Sequence, residues 1–124
     1  MTSDPNWKLD VVRLATWATE LALADASFVR GAPGCAKVAD QLARAVGSIS
    51  ANLWEGLGRT SPRDKARYVA YALESTREAI SWYVMIRKHL PPRSLSRRLA
   101  VLVRVRQMLV AFLRNHHRRQ SRPA

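Results

Sequence analysis

The chain has little of what most chemistry needs. One cysteine, Cys35, stands in 124 residues. It forms no internal disulfide, so a reducing, cytoplasmic setting is the expectation. Close to a predicted helix start, with no histidine near it in sequence, it reads as a small packed residue. No apolar run approaches the roughly 18 residues of a membrane span. The opening MTSDPNWKLD lacks a basic segment followed by an apolar one, so no secretory signal is expected. No segment alternates apolar and polar residues with period two, which argues against strands. Zinc-ligand spacing, a glycine-rich phosphate loop ahead of a helix and a serine elbow are all missing. The histidines are His89, near a helix end, and the adjacent pair His116-His117, whose side chains diverge by about 100° on a helix. Glu55 and Glu78 could share one bundle, but the Glu-x-x-His pairs of di-metal bundles do not occur. No catalytic residue, metal or cofactor is expected, and the chain reads as a non-enzyme.

Acid is missing from one region in particular. Residues 93–124 hold nine arginines and no Asp or Glu, a charge of +9 out of the net +12. Residues 1–92 hold the other twelve basic residues and all nine acids, a charge of +3. An excess so one-sided points to a polyanionic partner, nucleic acid before an anionic membrane surface.

What is present is helical periodicity in four segments. The first runs from about 5 to 29, with Asp4 as cap, Pro5 at the first position and a seam through Trp7, Val11, Leu14, Ala18, Leu21, Ala22 and Val29. Leu9, Val12 and Leu23 fall on another side, so its apolar surface is wider than one stripe. Gly31-Ala32-Pro33-Gly34 is a turn by composition. The second segment, about 35 to 55, carries Val38, Leu42, Ala45, Val46, Ile49 and Leu53 at helical spacing, with Gly56 and Gly58 expected just past its end. The third starts at Ser61-Pro62-Arg63-Asp64, a cap with proline at the first position, and is expected to reach 90, where Pro91-Pro92 stops it. The fourth is expected from a Ser94 cap over 95–116. The polar tail 117–124 has no reason of its own to be ordered. Long helices with short connections imply an all-α, antiparallel up-down-up-down four-helix bundle in one domain, residues 1–116.

The fourth helix separates into three surfaces. Leu95, Leu99, Leu102, Leu109 and Leu113 form one stripe, and Val101, Val105, Met108 and Phe112 form a second beside it. A helix covered on one side needs about a 100° apolar face. The second stripe is therefore expected to be a subunit interface. Arg97, Arg104, Arg114 and Arg118 face the other way, and Arg93, Arg119 and Arg122 extend the charge. Arginine suits phosphate because its planar fork donates two hydrogen bonds at once. The competing reading is a solvated helix face, weakened here because no acid balances the charge. Arg98 and Arg106 fall toward the apolar side and are expected to pair across an interface.

A polar stripe runs beside the seam of the second helix: Arg44, Ser48, Asn52, Glu55 and, if the helix ran on, Arg59. Facing it on the third helix would be Arg67, Ser75 or Glu78, with Glu55 best placed to pair with Arg59 or Arg67. Two readings stay open, a ligand or RNA-contact site and an internal hydrogen-bonded network that fixes helix register. The network is preferred.

The run from Gln41 to Ala79 resembles the four-helix bundle protein family whose founding members are encoded in intervening sequences of bacterial 23S ribosomal RNA genes. The residues carrying the resemblance are Gln41-Leu42, Arg44-Ala45, Ser48-Ile49, Ala51-Asn52, Glu55-Gly56, Gly58-Arg59, Ser61, Arg67-Tyr68, Ala72, Ser75 and Glu78. Lys65 stands where an aromatic is usual and Glu74 where a glycine is usual. The first and fourth helices match only in length and character. The resemblance implies a ring-shaped homo-oligomer, typically a pentamer. It also implies similarity to the accessory variability determinant of diversity-generating retroelements, a basic protein of the same fold that binds nucleic acid and works with a reverse transcriptase. The expected function is thus an oligomeric nucleic-acid-binding protein, RNA before DNA, with phosphates contacted through the fourth helix. The alternative is a protein-interaction scaffold, for example a reverse transcriptase accessory subunit. A membrane partner is not expected.

Overall fold

In the computed structural model the chain folds into a bundle of four helices, described here for residues 7–121, with side chains from Asp10 onward. The elements are α1 (Trp7–Arg30), α2 (Ala36–Leu57), α3 (Pro62–Met85) and α4 (Pro92–Ser121), with a 3-10 turn at Arg87–His89. No strand occurs among the described residues, and none of the described helices is long and apolar enough to cross a membrane. The expected cap Asp4 and Pro5 lie outside the described residues, as do Arg122 and the side chains of Trp7 and Leu9. Each helix packs on the next in sequence, and α1 also meets α4, over the smallest of these contacts.

The buried line of α1 is built from small residues: Val11, Ala15, Ala18, Ala22, Ala26 and Val29. Their spacing of three and four keeps them on one face. Short side chains there let α2 approach closely with Leu42, Val46, Ile49 and Leu53, all buried. From α3 the core takes Val69, Ala72, Leu73, Ala79 and Tyr83, and from α4 Leu102, Val105 and Leu109. Thr76 is fully buried as well, its hydroxyl donating to the Ala72 carbonyl of its own helix at 2.7 Å. That back-bond satisfies a polar group in an apolar layer.

Four helix ends differ from the sequence reading, each for a local reason. Gly56 lies within α2, not beyond it, and Gly58 caps the helix with φ −79°. Gly56 is needed for close approach: a Cβ there would sit 3.0 Å from the Tyr68 Cβ. Helix α3 stops at Met85, five residues early, because Pro91 holds Leu90 extended (φ −121°, ψ 146°) and the chain tightens into the 3-10 turn before it. Helix α4 starts at Pro92, ahead of the expected Ser94 cap, since proline fits the first helical position; the Leu95 N–H donates to the Pro91 carbonyl. It then runs to Ser121, five residues past the expected end. Residues 117–121 are therefore helix. Nothing before Pro123 breaks the pattern, and Arg118 and Arg119 in the last turn oppose the negative end of the helix dipole. The α3 start is as expected, with Ser61 Oγ accepting from the Asp64 N–H at 3.3 Å.

Candidate nucleic-acid interface

Helix α4 presents an acid-free basic face because its sequence repeats arginine at near-helical intervals. Arg93, Arg97, Arg104, Arg114, Arg118 and Arg119 are all exposed. Among the described residues no acid forms an ion pair with any of these six. Their guanidinium forks are oriented to solvent and carry uncompensated charge, which is what a phosphate backbone requires.

The opposite side of α4 is organised differently from the two-stripe reading. Leu102, Val105 and Leu109 are the buried line. Leu95, Leu99 and Leu113 flank it on one side, and Val101, Met108 and Phe112 on the other, all half-buried. Val105 is fully buried within the single chain, so it is core and not a subunit contact. Val101, Met108 and Phe112 keep partly open surfaces. Helix α1 is more open still, with Trp17 50% and Phe28 68% exposed, eleven residues and so about three turns apart.

Arg98 does not reach across an interface. It pairs within the chain, Nε to Asp25 Oδ2 at 2.8 Å and Nη2 to Asp25 Oδ1 at 3.3 Å. The Tyr83 hydroxyl donates to the same Asp25 Oδ2 at 2.6 Å. This triad ties α1, α3 and α4 together as a buried polar network. Burial pushes the Tyr83 phenol well above its ordinary range, and the Asp25 carboxylate beside it pushes further. Hydrogen bonding to Asp25 raises the Arg98 guanidinium in turn. Nothing in the spacing of Asp25, Tyr83 and Arg98 along the chain reveals this cluster. The one available signal is an acid on the apolar side of α1, whose neighbours Ala22, Ala26 and Val29 are all core.

The expected network of Ser48, Asn52, Glu55, Arg59, Arg67, Ser75 and Glu78 is not assembled. Asn52 Nδ2 donates to the Ser48 carbonyl of its own helix at 2.8 Å. Arg67 lies 3.7 Å from Asp64 on its own helix. Glu78 accepts from Trp82 Nε1 at 3.2 Å, again within α3. The pairing of Arg59 with Glu55 is present at 3.6 Å. Contact between α2 and α3 at this end instead runs through Tyr68, whose hydroxyl accepts from Arg59 Nη2 at 3.0 Å. The Arg59 guanidinium carbon sits 4.9 Å from the Tyr68 ring centre and that of Arg67 sits 5.3 Å from it. The polar stripe points along helix surfaces because side chains of this length find nearer partners on their own turns. On the other face of α2, Thr19 of α1 lies 3.4 Å from both the Val46 carbonyl and Ser50 Oγ, a contact the sequence does not announce.

No curated protein matches the chain. Among solved structures it is similar to a protein of unknown function from the S23 ribosomal protein family of Bacteroides thetaiotaomicron, with a TM-score of 0.81 and 14% identity, over 87% of this chain and 98% of that one. At that identity the likeness shows the fold alone. The model of the 23S rRNA-intervening sequence proteins matches residues 18–111, three quarters of the chain, with α2 and α3 whole and parts of α1 and α4. The chain belongs to the 23S rRNA-intervening sequence protein family.

Proposed function

We propose that the protein is a non-enzymatic, homo-oligomeric nucleic-acid-binding bundle of the cytoplasm. Its helices alternate up-down-up-down, as supported by the short connections and by Phe112, late in α4, lining one groove with Val11, Leu53 and Val69. It assembles as a ring, a pentamer by family resemblance, through the partly open apolar flank of α4 at Val101, Met108 and Phe112 together with Trp17 on α1. It contacts phosphates of structured RNA or RNA/DNA hybrids with little base reading. The observation that carries this reading is the set of six exposed α4 arginines without an acid partner among the described residues. A ring repeats the basic face, so weak phosphate contacts add to one salt-sensitive affinity.

The test is binding of nuclease-treated, size-characterised protein to labelled structured RNA and duplex DNA across a salt series. Affinity is expected to fall steeply as salt rises, with a slope of about 0.9 per phosphate neutralised on a duplex. Replacing Arg97, Arg104, Arg114 and Arg118 with glutamate abolishes binding and leaves helicity and assembly intact. Unchanged affinity in that variant sinks the assignment.

A second reading, a scaffold for a polypeptide partner such as a reverse transcriptase, is favoured by the exposed aromatics Trp17 and Phe28 on α1. Aromatic side chains are enriched at protein interfaces. Retention of a polypeptide partner by the chain, lost on Phe28→Ala, would select it over the first.

A further inference from the structure

The junction of α2 and α3 combines arginines with aromatic rings. Residues 59–67 hold Arg59, Arg63, Lys65 and Arg67 against one acid, Asp64. Arg59 and Arg67 both lie against the Tyr68 ring, at 4.9 and 5.3 Å from its centre. Two like charges share one ring, and the acid paired with each lies at the long end of ion-pair range. Glu55 is 3.6 Å from Arg59, and Asp64 is 3.7 Å from Arg67. Charge-assisted hydrogen bonds form at about 2.7–2.9 Å. Arg59 Nη2 donates to the Tyr68 hydroxyl at 3.0 Å; the other N–H groups of both forks have no hydrogen-bond acceptor among the described residues, yet the ring holds the guanidinium groups in place. An anion arriving there meets donors whose freedom is already restricted.

Tyr71 stands beside this pair. Its ring meets Tyr68 edge-on, centres 5.7 Å apart and planes at 88°, and it is 44% exposed. An exposed aromatic ring next to a fixed positive fork is the arrangement that receives a base and its phosphate in single-stranded nucleic acid recognition. The site is positioned by Gly56, whose missing side chain lets Tyr68 pack against the last turn of α2.

We propose that this turn holds one unpaired nucleotide, its phosphate in the forks of Arg59 and Arg67 and its base stacked on Tyr71. The proposal rests on the nucleic-acid reading above and adds to it a site with a different chemical preference. Helix α4 takes phosphates of any duplex; the turn selects an unstacked base.

The experiment uses two labelled probes, a single-stranded oligoribonucleotide carrying 2-aminopurine and a blunt RNA duplex. Wild-type protein is expected to bind the single strand and quench the aminopurine. Tyr71→Ala weakens single-strand binding by about tenfold, the scale of one base–aromatic stack, and removes the quenching. Tyr71→Phe keeps both, because the ring is retained. Arg59→Gln with Arg67→Gln weakens the single strand and leaves the duplex within about twofold. Thermal melts of each variant separate loss of contact from loss of fold. Equal single-strand affinity in Tyr71→Ala and wild type overturns the proposal, and so does an equal loss on both probes. Binding of the single strand with no binding of the duplex removes the α4 reading and keeps the turn. Duplex binding without aminopurine quenching does the reverse. Failure to bind either probe overturns both.

Discussion

Asp25 and Arg98, 73 residues apart, are joined by two hydrogen bonds, at 2.8 Å from Nε and 3.3 Å from Nη2. Their side chains are 9% and 18% exposed, so the pair is close to fully enclosed. Removing one partner leaves the other charged without compensation. Arg98→Met is expected to destabilise the fold by about 3 kcal/mol, and Asp25→Leu with Arg98→Met together by clearly less. Denaturant unfolding of the two single variants and the double variant measures the coupling. Additive losses would show that the pair does not act as a unit.

Tyr83 makes the same cluster sensitive to alkali. Its phenol is raised in the folded state by burial and then by Asp25. A raised group contributes stability that is fully present below its unfolded value of about 10 and is lost as pH climbs toward the folded value. Stability is therefore expected to hold steady for this group through pH 9 and to decline above about 10. The phenolate absorbance of Tyr83 should emerge together with loss of helical circular dichroism. Tyr83→Phe removes that step and, by losing a hydrogen bond to a charged acceptor, costs about 1.5–3 kcal/mol at neutral pH. A phenolate signal in the still-folded protein that is absent from Tyr83→Phe would contradict the burial.

Two glycines of α2 should respond oppositely to the same change. A Cβ on Gly47 meets nothing within 4 Å, whereas one on Gly56 comes to 3.0 Å from the Tyr68 Cβ. Gly47→Ala is expected to stabilise by about 0.5–1 kcal/mol through helix propensity alone. Gly56→Ala gains the same propensity but forces α3 off α2, for a net loss of about 1 kcal/mol. Thermal melts of both variants give the two signs directly.

Val105 and Met108 sit one turn apart on α4 and should fail in different ways. Val105 is fully buried, so Val105→Ala removes packed methyl groups and costs about 1.5–2 kcal/mol with assembly unchanged. Met108 is half-buried, and Met108→Glu should leave a folded chain that sediments as a smaller species. An unaltered assembly in Met108→Glu would remove this flank of α4 from the interface, and smaller species from Val105→Ala would contradict the assignment of Val105 to the core alone.

Helix number, order and core were legible because long amphipathic periods dominate the sequence. The seam through Leu42, Val46, Ile49 and Leu53 appears in the structure as read. Helix ends were less legible where proline acts at a distance, as Pro91 does through Leu90 on the last turn of α3. The arginine face of α4 was legible because repeated charge without acid has one solvent-facing solution. The polar stripe of α2 was misread because a position beside a seam does not say whether a side chain turns inward. The true buried network was hidden because Asp25, Tyr83 and Arg98 lie on three helices whose azimuths no local pattern fixes. The cluster at Tyr68 needed coordinates for another reason: Arg59 folds back from beyond the end of α2 to reach it.

The unbroken run of α4 to Ser121 changes what binding has to accomplish. At 1.5 Å per residue, the helix carries on for roughly 13 Å past Phe112, as a rod with Arg114, Arg118 and Arg119 along it. Basic tails that are coils must be ordered by their ligand, and the lost chain entropy weakens every contact they make. Here the backbone under those arginines is ordered before any ligand arrives. The rod fixes the spacing of its cations, so under the proposed function the geometry of the polyanion, and not only its charge density, would decide how many of them engage at once.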